Sequence, residues 1–166
     1  METRIVSEAS RDMTGIGSME PSAELKAWAA GIFEGEGSAL IERIKPGAYQ
    51  IVVAVSNTDK KITDPIREVW GGHYRANQDH SKLYSISYRR DYSIYFSRDE
   101  AKRFLLDILP HLKAKRDDVI VVLRALCAVP GEAALSSIGR KKAAKGLSSC
   151  LEPYYKELLE LRRIRQ

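Results

Sequence analysis

The chain has 166 residues, a net charge of +5 with a pI of about 9.2, and 44% hydrophobic and 30% charged residues, which is the make-up of one globular domain with tails rather than of a disordered or fibrous chain. Such a length can bury a core without disulfides. No apolar run approaches the roughly 18 residues of a membrane span, no charged-then-apolar leader opens the chain, and Cys127 and Cys150 lack CxxC spacing, so a membrane or secreted role is set aside and an intracellular protein with reduced thiols is expected.

Residues 1–20 show no helical or strand periodicity and are expected to be a flexible tail. Ser22 can cap a helix running to about Glu34. Ser38–Lys45 and Tyr49–Ser56 read as strands, and Pro46-Gly47 between them as a hairpin turn. Thr58–Trp70 is a weaker helix because of Pro65: it starts there with Asp64 as cap, or bends there. After Gly71-Gly72, His73–Gln78 and Leu83–Ser97 are strand-like. Ser97 and Glu100 fit a capping box, opening a helix with Ala101, Phe104, Leu105 and Ile108 at helical spacing, which stops at Pro110. Further helices are predicted over about Arg116–Val129 and Ser148–Arg163, with Pro130–Gly146 as a loop. The expected organisation is a core over 21–129, followed by a basic loop and C-terminal helix over 130–166. The order of strands and helices argues α+β rather than a doubly wound parallel sheet.

The charge is localised. From Arg140 onward eight basic residues (Arg140, Lys141, Lys142, Lys145, Lys156, Arg162, Arg163, Arg165) face three acidic ones, an excess equal to the whole net charge. That segment is the natural place for an anionic partner, nucleic acid first, though a solvated basic tail has the same composition.

The first helix has few polar positions. On a helical wheel Leu25, Trp28, Ala29, Ile32 and Phe33 form one arc, and Ala27, Ala30, Gly31 and Gly35 another. Large side chains would pack on a sheet, and the small arc would let a second backbone approach closely. A helix–helix contact within the chain would serve as well, but no other helix has a matching small face. Self-association about a two-fold axis is therefore expected, through Ala27, Ala30, Gly31, Glu34 and Gly35. Glu34 and Glu36 stand at the helix C-terminus, the negative end of its dipole, where carboxylates are unfavourable. A divalent cation would relieve that charge, and carboxylate oxygens suit Mg²⁺; a salt bridge to a lysine would do so too.

At these residues a family likeness emerges. Trp28-Ala29-Ala30-Gly31-Ile32-Phe33-Glu34-Gly35-Glu36-Gly37-Ser38 resembles the motif of the LAGLIDADG homing endonucleases, with Ala29 and Ile32 in place of leucines and Glu at both acids. Val55-Ser56-Asn57-Thr58-Asp59-Lys60, Trp70-Gly71-Gly72-His73-Tyr74 and Leu109-Pro110-His111-Leu112-Lys113-Ala114-Lys115 resemble later family segments in the right order, over about residues 24–129. The resemblance implies an α+β fold of αββαββα type, with a curved antiparallel DNA-binding sheet and extra C-terminal helices. It implies an intron-encoded, Mg²⁺-dependent endonuclease that cuts a long pseudo-palindromic duplex, leaving 3′ overhangs. By the same resemblance Glu36 is the metal ligand, Gly35 lends a carbonyl near the metal, and Glu34 is structural. Lys115 lies near the scissile phosphate, Asn57 positions water, and Lys61 is a second basic pocket member.

One motif copy implies a homodimer with one subunit per half-site. A strand of eight residues spans about 27 Å, or about 8 base pairs, and two half-sites with a centre give a target of about 20 base pairs. Expected DNA contacts are Ser38, Leu40, Glu42, Gln50 and Ser56 on the first hairpin, and Arg75, Asn77, Gln78, Arg89 and Arg90 on the second, each otherwise an ordinary exposed strand residue. Arg140, Lys141 and Lys142 are expected on phosphates. The tyrosines are expected to pack the sheet, and His73, His80 and His111 have no common metal spacing. An RNA-splicing maturase and a non-cleaving DNA-binding regulator are the competing functions. Glu36 and Lys115 favour the nuclease, because a pure binder needs no acid at a helix C-terminus.

Overall fold

The structure, a computed structural model, describes residues 20–75, 91–129 and 144–165. The expected tail over 1–19, the strand residues from 76 to 90 and the loop from 130 to 143 lie outside the described residues. Helix α1 spans Ala23–Glu36, and the Ser22 hydroxyl accepts the Leu25 N–H at 3.2 Å. Strands β1 (Gly37–Lys45) and β2 (Ala48–Asn57) pair antiparallel, with Gly47 at φ 73° in the turn, a backbone region that favours glycine. Helix α2 (Lys60–Trp70) begins before Pro65, which overturns the alternative of a start at Pro65 capped by Asp64. Asp59 caps it instead, its carboxylate accepting the Lys61 N–H at 2.9 Å, and the Asp64 carboxylate pairs with Lys60 and takes the Tyr74 hydroxyl at 2.6 Å. Pro65 is the sixth residue of this helix, where it removes the ladder hydrogen bond to the carbonyl four residues back and crowds that carbonyl, a cost the helix carries.

Strands β3 (His73–Arg75) and β4 (Tyr92–Tyr95) complete an antiparallel sheet of order β1-β2-β4-β3. Helix α3 (Arg98–Ile108) runs into a 3-10 turn at Leu109–His111, where Pro110 ends the α-helical ladder. Helices α4 (Arg116–Ala128) and α5 (Ala144–Ile164) follow. The last helix starts before the expected Ser148, so Ala144–Gly146 belong to it rather than to the loop. Its position is held by packing: Leu151 and Leu158 are buried, and Tyr155 meets Tyr49 of β2 at 5.1 Å between ring centroids. The αββαββα order with additional C-terminal helices is thus the observed one.

Strand residues alternate between two faces. Ala39, Ile41, Ile51, Val53, Val55 and Ile94 join Phe33, Ile66, Trp70, Phe104, Val122, Leu126 and Leu151 in one core, so the helices cover a single face of the sheet. The register puts Ser38 opposite Ala54, Leu40 opposite Val52 and Glu42 opposite Gln50, then Ser56 opposite Ser93 and Arg75 opposite Ser93 on the far side. These residues form the other face, which no described helix covers.

Glu100 ties the second half of the sheet to α3. Its carboxylate accepts the N–H of Ser97 at 2.8 Å and of Gly72 at 3.0 Å. Burial pushes its pKa up, but the hydrogen bonds from Ser97 and Gly72 outweigh that and leave it below the ordinary value of 4.5. A carboxylate lowered on folding stabilises the fold fully above its unfolded pKa, and that contribution is lost as pH falls through the folded value. Urea unfolding from pH 6 to pH 3 should therefore show a shallower acid loss in Glu100→Gln than in the wild type; equal slopes would refute the assignment.

Candidate active site and nucleic-acid face

The C-terminus of α1 is the focus. Phe33 is fully buried and holds this end against α3, its ring edge-on to Phe104 at 5.6 Å. The chain then turns at Gly37 directly into β1, with the Gly37 N–H on the Phe33 carbonyl. The last carbonyls of a helix have no partner further along it. Lys115 adds a further donor at this end: its Nζ donates to the Phe33 carbonyl, which also takes the Gly37 N–H, at 2.9 Å and to the Gly37 carbonyl at 2.6 Å. A cation on the negative end of the helix dipole is favourable. Burial lowers the Lys115 pKa below its ordinary value of 10.5, against the opposing pull of Glu34, Glu36 and Asp118.

The two acids of α1 have different surroundings. The Glu34 carboxylate accepts the Lys113 N–H at 2.5 Å and the Lys115 N–H at 3.2 Å, so it fixes the segment that carries Lys115. Its role is internal, and its carboxylate is spent within its own chain rather than turned to a second copy. Glu36 is exposed and makes no hydrogen bond to a described residue. Gly35 is exposed beside it. At the same end of the sheet, Asn57 is two residues beyond Val55, the partner of Gly37, and its side-chain oxygen accepts the Asp59 N–H at 2.8 Å. Its amide nitrogen is not used in that turn. Lys61 is exposed at the start of α2.

The exposed stripe of α1 runs through Glu24, Ala27, Trp28, Gly31 and Gly35, at spacings that share one helix side. A Cβ at Gly31 or Gly35 would meet nothing within 4 Å. Two corrections to the wheel follow. Ala30 is 1% exposed and belongs to the chain's own core, so it is not available to a partner subunit. Trp28 is 38% exposed and stands beside the small residues rather than on the sheet. The cause is geometric: the buried arc centres on Ala29, Ala30 and Phe33, where small side chains let α1 approach the rest of the core.

The uncovered sheet face carries Ser38, Leu40, Glu42, Gln50, Ser56 and Arg75 together, all the expected contacts that fall on described residues. Gln50 donates to Glu42 at 2.6 Å, Ser56 to Ser93 at 2.8 Å, and Arg75 lies over the Tyr95 ring at 4.8 Å. Tyr95 thus belongs to the open face, whereas Tyr49 and Tyr74 pack toward helices. Asn77, Gln78, Arg89, Arg90, Arg140, Lys141 and Lys142 lie outside the described residues.

No family model and no curated protein matches the chain. Among solved structures, one of the homing endonuclease I-CvuI in complex with the I-CreI target, in 2 mM Mg and with the DNA not cleaved, is 19% identical with a TM-score of 0.49, covering 80% of this chain and 96% of that one. A second, of I-CvuI with its own target in 2 mM Ca, has the same identity, TM-score and coverage of this chain, and covers 95% of that one. A structure of the homing endonuclease I-TnaI is 22% identical with a TM-score of 0.41, covering 66% of this chain and 73% of that one.

Beside the focus is a cavity of about 250 Å³, lined by Gly37, Ser38, Ala39, Leu40, Lys115, Asp118 and Arg162. The sequence did not single out Asp118, and it named Arg162 only as one member of the basic C-terminal segment. Asp118 is 8% exposed, within 3.1 Å of Arg165 and 3.7 Å of Arg162. The available signal was the basic run at the chain's end, which α5 brings back to the first strand.

Proposed function

We propose that the chain is a LAGLIDADG-type homing endonuclease that hydrolyses both strands of a specific DNA duplex as a homodimer. The observation that carries this reading is the exposed Glu36 at the end of α1, with the Lys115 ammonium held on that same helix end and the uncovered polar sheet face starting one residue later. Strands fit the major groove, and Arg75, Gln50 and Glu42 carry the donors and acceptors that read base edges there.

The Glu36 carboxylate and the Gly35 carbonyl are hard oxygen donors suited to a divalent cation such as Mg²⁺. Among the described residues no three His, Cys, Asp or Glu side chains of one chain gather into a metal cluster. A single chain thus supplies a partial donor set, which a second copy, DNA phosphates and water would complete. When bound, such an ion lowers the pKa of a water and stabilises the leaving oxygen. The chain's own residues do the rest. Lys115 places positive charge where charge develops on the phosphate, Glu34 fixes the backbone of Lys115, and Asn57 and Lys61 orient water and phosphate at the edge of the site. Selection of cut sequences from a randomised duplex library in Mg²⁺, with fragment ends sequenced, tests the reading. A discrete site of about 20 base pairs with 3′ overhangs supports it; no cutting of any sequence overturns it.

Dimerisation would use the stripe of Ala27, Trp28, Gly31 and Gly35. Because space at Gly31 is open within one subunit, Gly31→Leu should leave the subunit as stable as the wild type, or more stable by up to about 1 kcal/mol. At the two-fold contact the same side chain would overpack and separate the helices. Sedimentation velocity at micromolar concentration should find a wild-type dimer and a mutant monomer. A monomeric wild type, free and on DNA, would remove the dimer from the proposal.

A further inference from the structure

The last helix brings two arginines to Asp118, and their bonding differs. Arg165 forks, with Nη1 at 3.1 Å from Asp118 and Nη2 at 3.2 Å from Asp117. This pair anchors the end of α5 to the start of α4. Arg162 lies one turn earlier and reaches Asp118 only through Nε, at 3.7 Å, with no hydrogen bond to a described residue. An arginine carries five N–H donors, so the two terminal nitrogens of Arg162 remain unspent. Arg162 also lines the cavity whose other walls are Lys115, Asp118 and Gly37–Leu40 of β1. Because β1 is the edge strand of the described sheet, its outward backbone groups are not paired with another described strand there. The cavity would hold several waters, each of which occupies about 30 Å³ in the liquid. It adjoins Glu36, which immediately precedes β1.

We propose that Arg162 is a phosphate-contacting residue of this protein, a second cation beside Lys115 that seats a DNA phosphate at the entrance of the site. Arg165 stands 3.1 Å from Asp118 Oδ1, which accepts no hydrogen bond from a described residue, and ties the helix to Asp117, while the terminal nitrogens of Arg162 are left for the ligand. The proposal rests on the nuclease reading for its ligand, DNA, but not for its test. Guanidinium groups match phosphate oxygens with paired N–H groups, and each neutralised phosphate releases counter-ions.

The full-length chain is titrated with a random-sequence 30-base-pair duplex from 50 to 200 mM salt, beside Arg162→Met and Arg162→Lys. Thermal unfolding of each variant checks the fold; Arg162 is half exposed, so both should fold. Arg162→Met should flatten the salt dependence by about 0.9 in the log–log slope for each subunit bound, with affinity lowered several-fold at 150 mM salt. Arg162→Lys should restore most of the slope, which a purely structural role would not do. A wild-type slope in Arg162→Met, or a loss that Arg162→Lys does not recover, overturns the assignment. The nuclease reading fails separately, if the wild type cuts no sequence, and the slope measurement stands in either case.

Discussion

Glu36→Gln is expected to abolish cleavage while leaving DNA binding intact. The substitution keeps the shape and removes one negative charge per subunit. Glu36 is exposed and makes no hydrogen bond to a described residue, so the fold should not notice the change. Catalysis should, because a neutral amide is a poor ligand for a hard cation and leaves the charge of a bound phosphate unbalanced. A loss of about a hundred- to a thousandfold in the single-turnover rate is expected for each such contributor removed, the scale seen when an electrostatic contributor is lost. Binding in Ca²⁺ should hold or tighten, since two carboxylates no longer face phosphates; one such repulsion in water is about 1 kcal/mol at 4 Å. Glu34→Gln should fail differently. Its carboxylate holds the Lys113 and Lys115 N–H groups, so the loss should appear as about 1 kcal/mol of stability and a smaller rate effect. Near wild-type cutting by Glu36→Gln would place the chemistry elsewhere.

Gly37→Ala should be among the most destabilising single methyl additions in the chain. The backbone there is ordinary extended chain, φ −87° and ψ 157°, so no conformational strain is involved. The added Cβ would instead fall inside the Phe33 ring, which is fully buried between Phe104 and the Lys115 ammonium. The ring must move, at about 1–3 kcal/mol or more. For a domain of this size that lowers Tm by about 2–4 °C per kcal/mol. Phe33→Leu alone should cost at least about 1 kcal/mol through lost packing. The double variant should cost less than the sum, because the smaller side chain vacates the space that the methyl needs. Denaturant unfolding of the four proteins measures this; simple additivity would show that the clash is relieved some other way.

The readable parts of this sequence were those where local chemistry and burial agree. The Ser97–Glu100 box, the Pro46-Gly47 turn and the alternation through Ser38–Ile41 each require one answer, and the structure has it. The wheel of α1 was readable but for two positions: it placed Ala27, Gly31 and Gly35 outside but also Ala30, since small residues serve equally well inside and at a contact, and it placed the exposed Trp28 inside. Pro65 misled because a proline is compatible with a helix whose cap lies upstream at Asp59. Asp118, Arg162 and Arg165 were not readable, because their meeting depends on how α5 returns across β1, and no local pattern encodes that path. The resemblance assigned Glu34 a structural role and Glu36 a metal, and the hydrogen bonds of Glu34 to the Lys113 and Lys115 N–H groups give that structural role its contacts.

The Lys115 ammonium joins two carbonyls that precede it by 82 and 78 residues. During synthesis, at about 5–20 residues per second, the helix bearing Glu36 is complete long before its clasp exists. Contacts of such sequence separation form late, because a long loop must close before they contribute. A nascent or truncated chain ending before Lys115 would carry the acid at that helix end without its cation. On the proposed reading, the Lys115 charge reaches the helix end that bears Glu36 only once most of the chain has been made and folded.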